Sequence, residues 1–396
     1  MRFFIIFLLT CFPFALLAQE QDIPLTLLFT KLQSGNPAEV EKTYQTLLAE
    51  SKIPLTQNDS VLFLYRGNAN TVEWMGDFNG WGYVKDFNNK GRKFANTNIW
   101  YLKCKFPSDA RLDYKILVDG TNWIIDPVNK FQQWSGVGGG SPNSELRMPL
   151  WKEDENSVSN PNVPKGELIS DLLINSTVLG YQVTYSVYLP HNFKQYGPLA
   201  VAYFTDGYEY QHPQLGNIAT ILDNLIHTKK IQPLIAVLVD NREPANRANN
   251  RRMSELALNA KYLTFFADEL IPAIQARYAV KGNAKNRAII GTSMGGLTAT
   301  YFAFTRPDLF GLAGIQSPAF YARPQIYNLC EGKPEVQLKI SMTTGLINDT
   351  SVDSRKMSEV LKASSCEYQY REVNEGHSWG NWRRLVDDVL IDLFGR

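Results

Sequence analysis

From Ala288 to Thr298 the chain reads Ala-Ile-Ile-Gly-Thr-Ser-Met-Gly-Gly-Leu-Thr. This is a short apolar strand, a tight turn and the opening of a helix. The turn is G-x-S-x-G, running from Gly291 to Gly295 around Ser293. Glycines flank the serine because the turn is too sharp for bulky neighbours. The strain lifts the hydroxyl onto the tip of the turn, above the edge of a sheet. The N–H of Met294 opens the next helix and points where charge would develop on an acyl oxygen. A glycine turn with an incidental serine has the same letters. The apolar strand before it and the helix-compatible run from Leu297 to Phe304 favour the strained nucleophile turn.

The rest of the C-terminal part agrees with such a sheet. Leu168 to Ile174 and Tyr181 to Leu189 read as strands around a hairpin at Leu179-Gly180. A buried strand is expected at Leu199 to Phe204, and further strands at Leu234 to Val239, Ala288 to Ile290, Leu312 to Ile315, Leu338 to Met342 and Glu367 to Val373. Helices fall between them at Asn217 to Thr228, Leu258 to Tyr278, Ser354 to Ala363 and Trp379 to Leu393. Antiparallel entry strands followed by a doubly wound parallel sheet make an α/β fold, the α/β-hydrolase plan, over 167–396.

A serine hydroxyl is a weak nucleophile until a base takes its proton, and that base needs a carboxylate to hold it. In this plan the order along the chain is serine, acid, histidine. The sequence has four histidines, and only His377 follows Ser293. It sits between a strand and the last helix, in Asn374-Glu375-Gly376-His377-Ser378-Trp379. The acid belongs after Leu338 to Met342. Asp349 is the first choice there, and Asp353 the alternative, unless it caps the following helix. A second oxyanion donor is expected from Thr205-Asp206-Gly207-Tyr208, where Gly207 permits a turn that aims the N–H of Tyr208 into the site. Asp206 ties that loop. Arg242, Arg247, Arg251 and Arg252 follow the strand Leu234 to Val239. They read either as a clamp for an anionic substrate or as a solvated loop with one structural Arg–Glu pair.

Upstream, the pattern changes. Residues 19–54 read as a helical prelude, with Asn36 as cap and Pro37 at the first helical position. Over 55–150, short strands alternate with turn signals, as in an immunoglobulin-like β-sandwich. The glycine run 136–140 and the polar stretch 151–166 read as loop and linker, the latter leading into the α/β part. The sandwich block resembles the early-set module found in glycogen-binding family 48 modules and at the N-terminus of enterochelin esterases. The residues carrying this are Gly76-Asp77-Phe78-Asn79-Gly80-Trp81, Asp119-Gly120, Trp123 and Asp126-Pro127. Its tryptophans either stack on a sugar or aromatic ligand, or fill the sandwich core.

The whole chain after residue 18 resembles the enterochelin-esterase-like branch of the esterase D family. The matching residues are Asp206-Gly207, Arg252-Met253-Ser254-Glu255-Leu256, Gly291 to Leu297, and Gly376-His377 with Trp379 and Trp382-Arg383. The resemblance implies a serine carboxylic-ester hydrolase with no metal or organic cofactor. Ser293, Asp349 and His377 match the family's triad positions, and Arg252 its substrate-side arginine. Asp206 and Trp379 join Arg252 as candidate substrate contacts. The implied partner is a small-molecule or glycan ester. Alternatives on the same residues are a polysaccharide acetyl or feruloyl esterase, an acyltransferase or peptidase, and a glycan-binding protein with an inactive hydrolase unit.

Composition excludes some other classes. The net charge of +1 over 396 residues gives no global pull toward nucleic acid. Residues 1–18 combine Met-Arg, an apolar run and a small residue before Gln19. They read as a secretory signal peptide, so the expected location is periplasmic or secreted, with no membrane span after cleavage. Cys330 and Cys366 either pair or stay free, and no Cys/His spacing suggests zinc.

Overall fold

The computed structural model describes residues 24–136 and 142–396. The signal-peptide reading of 1–18 and most of the glycine run 136–140 lie outside the described residues.

Two helices, Leu25–Ser34 and Pro37–Ala49, lead the described chain. The Asn36 side chain accepts from the N–H of Glu39 at 3.0 Å, which answers one orphan donor of the second helix. Val40, Tyr44 and Leu47 line the buried face of that helix. They pack on Leu62, Leu64, Ile99 and Tyr101. Those four stand on one face of an antiparallel sheet formed by Leu55–Gln57, Ser60–Arg66, Ile99–Lys105 and Arg92–Lys93. The intervening residues Val61, Phe63, Trp100 and Leu102 point the other way, into a core shared with Trp74, Leu112, Tyr114 and Ile116. The latter four belong to a second antiparallel sheet, built on Val72–Gly76, Arg111–Val118, Pro142–Arg147 and Gln132–Trp134. The two-residue period of the strands thus buries both faces of the first sheet: one under helices, one in a sandwich.

The C-terminal unit is one eight-stranded sheet. Its strands are β1 (Glu167–Ser176), β2 (Tyr181–Leu189), β3 (Ala200–Phe204), β4 (Leu234–Asp240), β5 (Arg287–Thr292), β6 (Leu312–Gln316), β7 (Lys339–Gly345) and β8 (Glu367–Val373). They lie in the order β1-β2-β4-β3-β5-β6-β7-β8. β2 runs antiparallel to β1 and β4, and every later pair is parallel. Alternate residues of the central strands feed two cores. Val201 and Tyr203 enter one, and Ala200, Ala202 and Phe204 the other. Both faces are covered by helices, so β3, β4 and β5 are buried along their length.

One local reading changes and another gains detail. The single helix expected over Leu258 to Tyr278 is three pieces: Ala260–Phe265, a wider π-helical segment Phe266–Leu270, and Ile271–Arg277. Pro272 has no N–H to continue the ladder, and the turn before it widens. The linker stretch 151–166, though mostly exposed, is tied down at several points. Asn156 donates to Asp387 at 2.8 Å, Asn224 donates to the carbonyl of Asn156 at 2.7 Å, and the N–H of Gly166 donates to Asp223 at 2.7 Å. Asn156 and the Gly166 backbone thus strap the stretch to the α/β unit. Cys104, Cys330 and Cys366 are free thiols.

Candidate active site

β5 ends in the nucleophile turn. Ser293 has φ 56° and ψ −116°, a strained conformation for a residue with a side chain. Close packing around the turn explains the glycines. A Cβ on Gly291 would lie 2.4 Å from the backbone of Gly295, and one on Gly295 would lie 2.2 Å from Thr205 Oγ1. The loop after β3 is therefore pressed against the turn after β5. Helix Gly207–Gln211 starts on one side of this contact and helix Met294–Thr305 on the other. The N–H groups of Tyr208 and Met294 fall in first turns, which have no acceptor within their own helix. The backbone at positive φ in the first loop is Asp206, at 53°, rather than Gly207.

His377 Nε2 lies 3.0 Å from Ser293 Oγ, and His377 Nδ1 lies 2.6 Å from Asp349 Oδ1. The other oxygen of Asp349 accepts from the N–H of Gly345 and from Ser317 Oγ, both at 2.6 Å. Asp353 stands apart, in the first turn of helix Ser351–Lys362, where it accepts from Tyr327 Oη at 2.9 Å. The structure thus brings Ser293, His377 and Asp349 together and leaves Asp353 outside.

Arg252, Asp206 and Trp379, expected to touch substrate, are otherwise engaged. Arg252 grips Asp206 through two bonds, Nε to Oδ1 at 2.7 Å and Nη2 to Oδ2 at 3.0 Å. It also donates to the carbonyl of Thr292 at 3.3 Å. This pair braces the loops behind the nucleophile. Trp379 is 1% exposed and packs edge-on against Tyr210 and Trp382. The other arginines of the cluster are engaged within the protein as well. Arg242 and Arg247 both hold Asp240 at 2.8 Å, Arg247 also reaches Asp171, and Arg251 lies over the ring of Tyr181. Glu255 accepts from Tyr181 Oη at 2.6 Å and takes no arginine among these contacts.

Sequence reasoning missed three supports. Ser317, at φ 41°, links Asp349 to the indole N–H of Trp382. Asn381 donates to the carbonyl of Gly376 at 2.9 Å. Third, the sandwich reaches into the site. Asn348 donates to the carbonyl of Asp77 at 2.7 Å, and Arg111 donates to Ser378 Oγ at 3.0 Å. Burial pushes the Asp77 carboxyl up to about 8, with the charge of Asp113 adding to the effect. Glu375, fully buried, is likewise raised by burial.

The family model described as "Putative esterase" matches residues 176–393. The chain belongs to this esterase family. It is a carboxylic ester hydrolase with an α/β-hydrolase fold preceded by a β-rich domain. The esterase is 28% identical over 287 residues to the Iron(III) enterobactin esterase of Escherichia coli K12, covering 68% of this chain and 67% of that one. It is 27% identical over 227 residues to the Endo-1,4-beta-xylanase/feruloyl esterase of Xylanibacter ruminicola, covering 54% of this chain but only 30% of the relative. Among solved structures, the ferric enterobactin esterase of Salmonella typhimurium superposes with a TM-score of 0.70 at 18% identity. That match covers 84% of this chain and 93% of the other, so the likeness in fold spans the sandwich as well as the α/β unit. Among the described residues, no helix of the esterase is long and apolar enough to cross a membrane.

Proposed function

We propose that the esterase works through an acyl-enzyme on Ser293. His377 takes the serine proton on Nε2 as the hydroxyl attacks the ester carbonyl. The oxyanion is held by the N–H groups of Met294 and Tyr208. The imidazolium, steadied by Asp349, then protonates the leaving alcohol. Water repeats the sequence to release the acid. The observation that carries this is the contact chain from Ser293 Oγ to His377 at 3.0 Å and on to Asp349 at 2.6 Å. The test is Ser293→Ala with p-nitrophenyl acetate. Hydrolysis should fall to background in a protein whose circular dichroism is unchanged. Retained turnover would remove the mechanism.

The substrate is read as an ester met outside the cytoplasm, on the strength of the leader-like residues 1–18. Enterobactin esterases among the relatives favour a siderophore-type lactone. A second reading has its own support. Trp81 and Trp123 stack with centroids 6.5 Å apart, and Trp123 is 46% exposed. The turn bearing Trp81 adjoins the loop of Asn348. Such a flat apolar face beside the acid loop suits a sugar ring, and so a glycan carrying acetyl or feruloyl groups. The pairing of the nearby arginines weakens the case for a strongly anionic substrate. Acetyl-xylan, methyl ferulate and a ferric tricatecholate lactone, compared by kcat/KM, separate the readings.

A further inference from the structure

The histidine loop, 374–378, is gripped by the β-sandwich rather than by its own domain alone. We infer that Arg111, on the sandwich strand Arg111–Val118, is a positioning residue for His377. This inference rests on the triad proposed above.

Four observations carry it. First, the backbone of Arg111 pairs with the loop as a short parallel bridge to Glu375, with the Arg111 N–H on the carbonyl of Asn374 at 3.2 Å. Second, the guanidinium is 1% exposed and fixed on three sides. Nη2 is ion-paired with Asp113 at 2.6 Å, Nε donates to Glu145 at 3.1 Å, and Nη1 donates to Ser378 Oγ at 3.0 Å. Two contacts anchor it in the sandwich, and the third lands on the residue after His377. Third, the group lies on the first turn of helix Trp379–Phe394, where a Cβ on Gly380 would come within 2.0 Å of Arg111 Cζ. Fourth, the other side of the loop is filled from the same domain. A Cβ on Gly376 would lie 2.2 Å from Asp77 Cγ.

His377 therefore stands between two glycines, each of which makes room for a sandwich side chain. A cation against a helix N-terminus is unfavourable by itself. Its presence there is offset by Asp113, Glu145 and the nearby Glu375. A lysine keeps the charge but cannot reproduce the planar fork that spans Asp113, Glu145 and Ser378 together. A shift of about 1 Å in the imidazole is enough to cost on the order of a hundredfold in rate.

The test uses the full chain with Arg111→Lys and Ser378→Ala. The second variant cuts only the guanidinium's link to the loop and leaves both ion pairs and the backbone bridge intact, so it tests the side chain's role if the first does not fold. The readouts are kcat and KM on p-nitrophenyl acetate, and the downfield proton resonance of the His377–Asp349 hydrogen bond. A fivefold or larger fall in kcat is expected, with KM within threefold and the resonance weakened or lost. The double variant should be no worse than Arg111→Lys alone. A folded Ser378→Ala protein whose kcat falls less than fivefold, with the resonance intact, overturns the inference. If Ser293→Ala is dead in that same assay, the triad survives and only the role of Arg111 is lost. If Ser293→Ala is active, the triad itself fails.

Discussion

Trp382 meets His377 edge to face, with ring centroids 4.9 Å apart and planes at 89°. The same indole donates its N–H to Ser317 Oγ at 2.9 Å, and Ser317 donates to Asp349 at 2.6 Å. One side chain thus walls the imidazole and, through Ser317, orients the carboxylate that holds it. Trp382→Phe keeps much of the wall and removes the donor. A hydrogen bond of about 1 kcal/mol carried into the transition state corresponds to roughly a five- to tenfold loss in rate. Steady-state kinetics on a short ester should show that fall in kcat with little change in KM. An unchanged kcat would mean that Ser317 holds Asp349 without help.

Asp349 and Asp353 are four residues apart, but only one faces the imidazole. Asp349→Asn should lower kcat by on the order of 10⁴, because the amide can no longer steady the imidazolium or fix its tautomer. Asp353→Asn should stay within about twofold, since its partner is Tyr327 of the helix Gln325–Glu331 rather than the imidazole. Comparable losses in the two variants would contradict the geometry.

These contrasts mark what the residues alone could tell. Ser293 was legible because a strand, a glycine turn and a helix share eleven consecutive residues. His377 was legible because no other histidine lies downstream. Asp349 could be preferred over Asp353 from its place after β7 and from the helix that Asp353 could cap, but the Gly345 N–H and Ser317 Oγ that hold it could not be foreseen. Ser317 carries no motif, and its partners come from positions 32 and 65 residues away. The partners of the arginines were out of sight for a similar reason. Arg252 finds Asp206, 46 residues earlier, and Arg247 finds Asp171, 76 residues earlier. Trp379 was a candidate substrate contact beside the histidine. The phase of its helix buries it instead. Likewise, nothing local to Arg111 announces a contact with Ser378, 267 residues on.

The Arg252–Asp206 pair yields a prediction that separates bracing from substrate binding. Arg252 has a side chain 13% exposed and Asp206 one of 3%, so Arg252→Ala strands a buried carboxylate. Breaking such a pair costs about 3–5 kcal/mol. Urea unfolding should show a loss of that size. Arg247→Ala should cost less than about 1 kcal/mol, because Arg247 is more exposed and Arg242 still holds Asp240. A substrate-binding arginine would behave otherwise, raising KM in an Arg252→Ala protein of unchanged stability.

Asp387 makes the stability of the fold depend on pH at a place remote from the triad. It lies on the last helix, 7% exposed, under the strap of residues 151–166. It accepts from Asn156 at 2.8 Å and from the N–H of Asp388 at 2.6 Å. Burial, with Asp154 and Asp388 close by, pushes its carboxyl up to about 7 from an ordinary value of 3.8. Between roughly pH 4 and 7 the unfolded chain therefore holds this group ionised while the folded chain keeps it protonated. The folded state binds more protons over that window, so stability falls as pH rises through it and levels off above. Asp387→Asn keeps the shape, can still accept from Asn156 and cannot ionise. Its melting temperature should match the parent near pH 4 and exceed it by several degrees at pH 8, while kcat at pH 8 is unchanged. Calorimetric scans of both proteins from pH 4 to 8 provide the measurement. A gap that stays constant across that range would show that Asp387 does not titrate there.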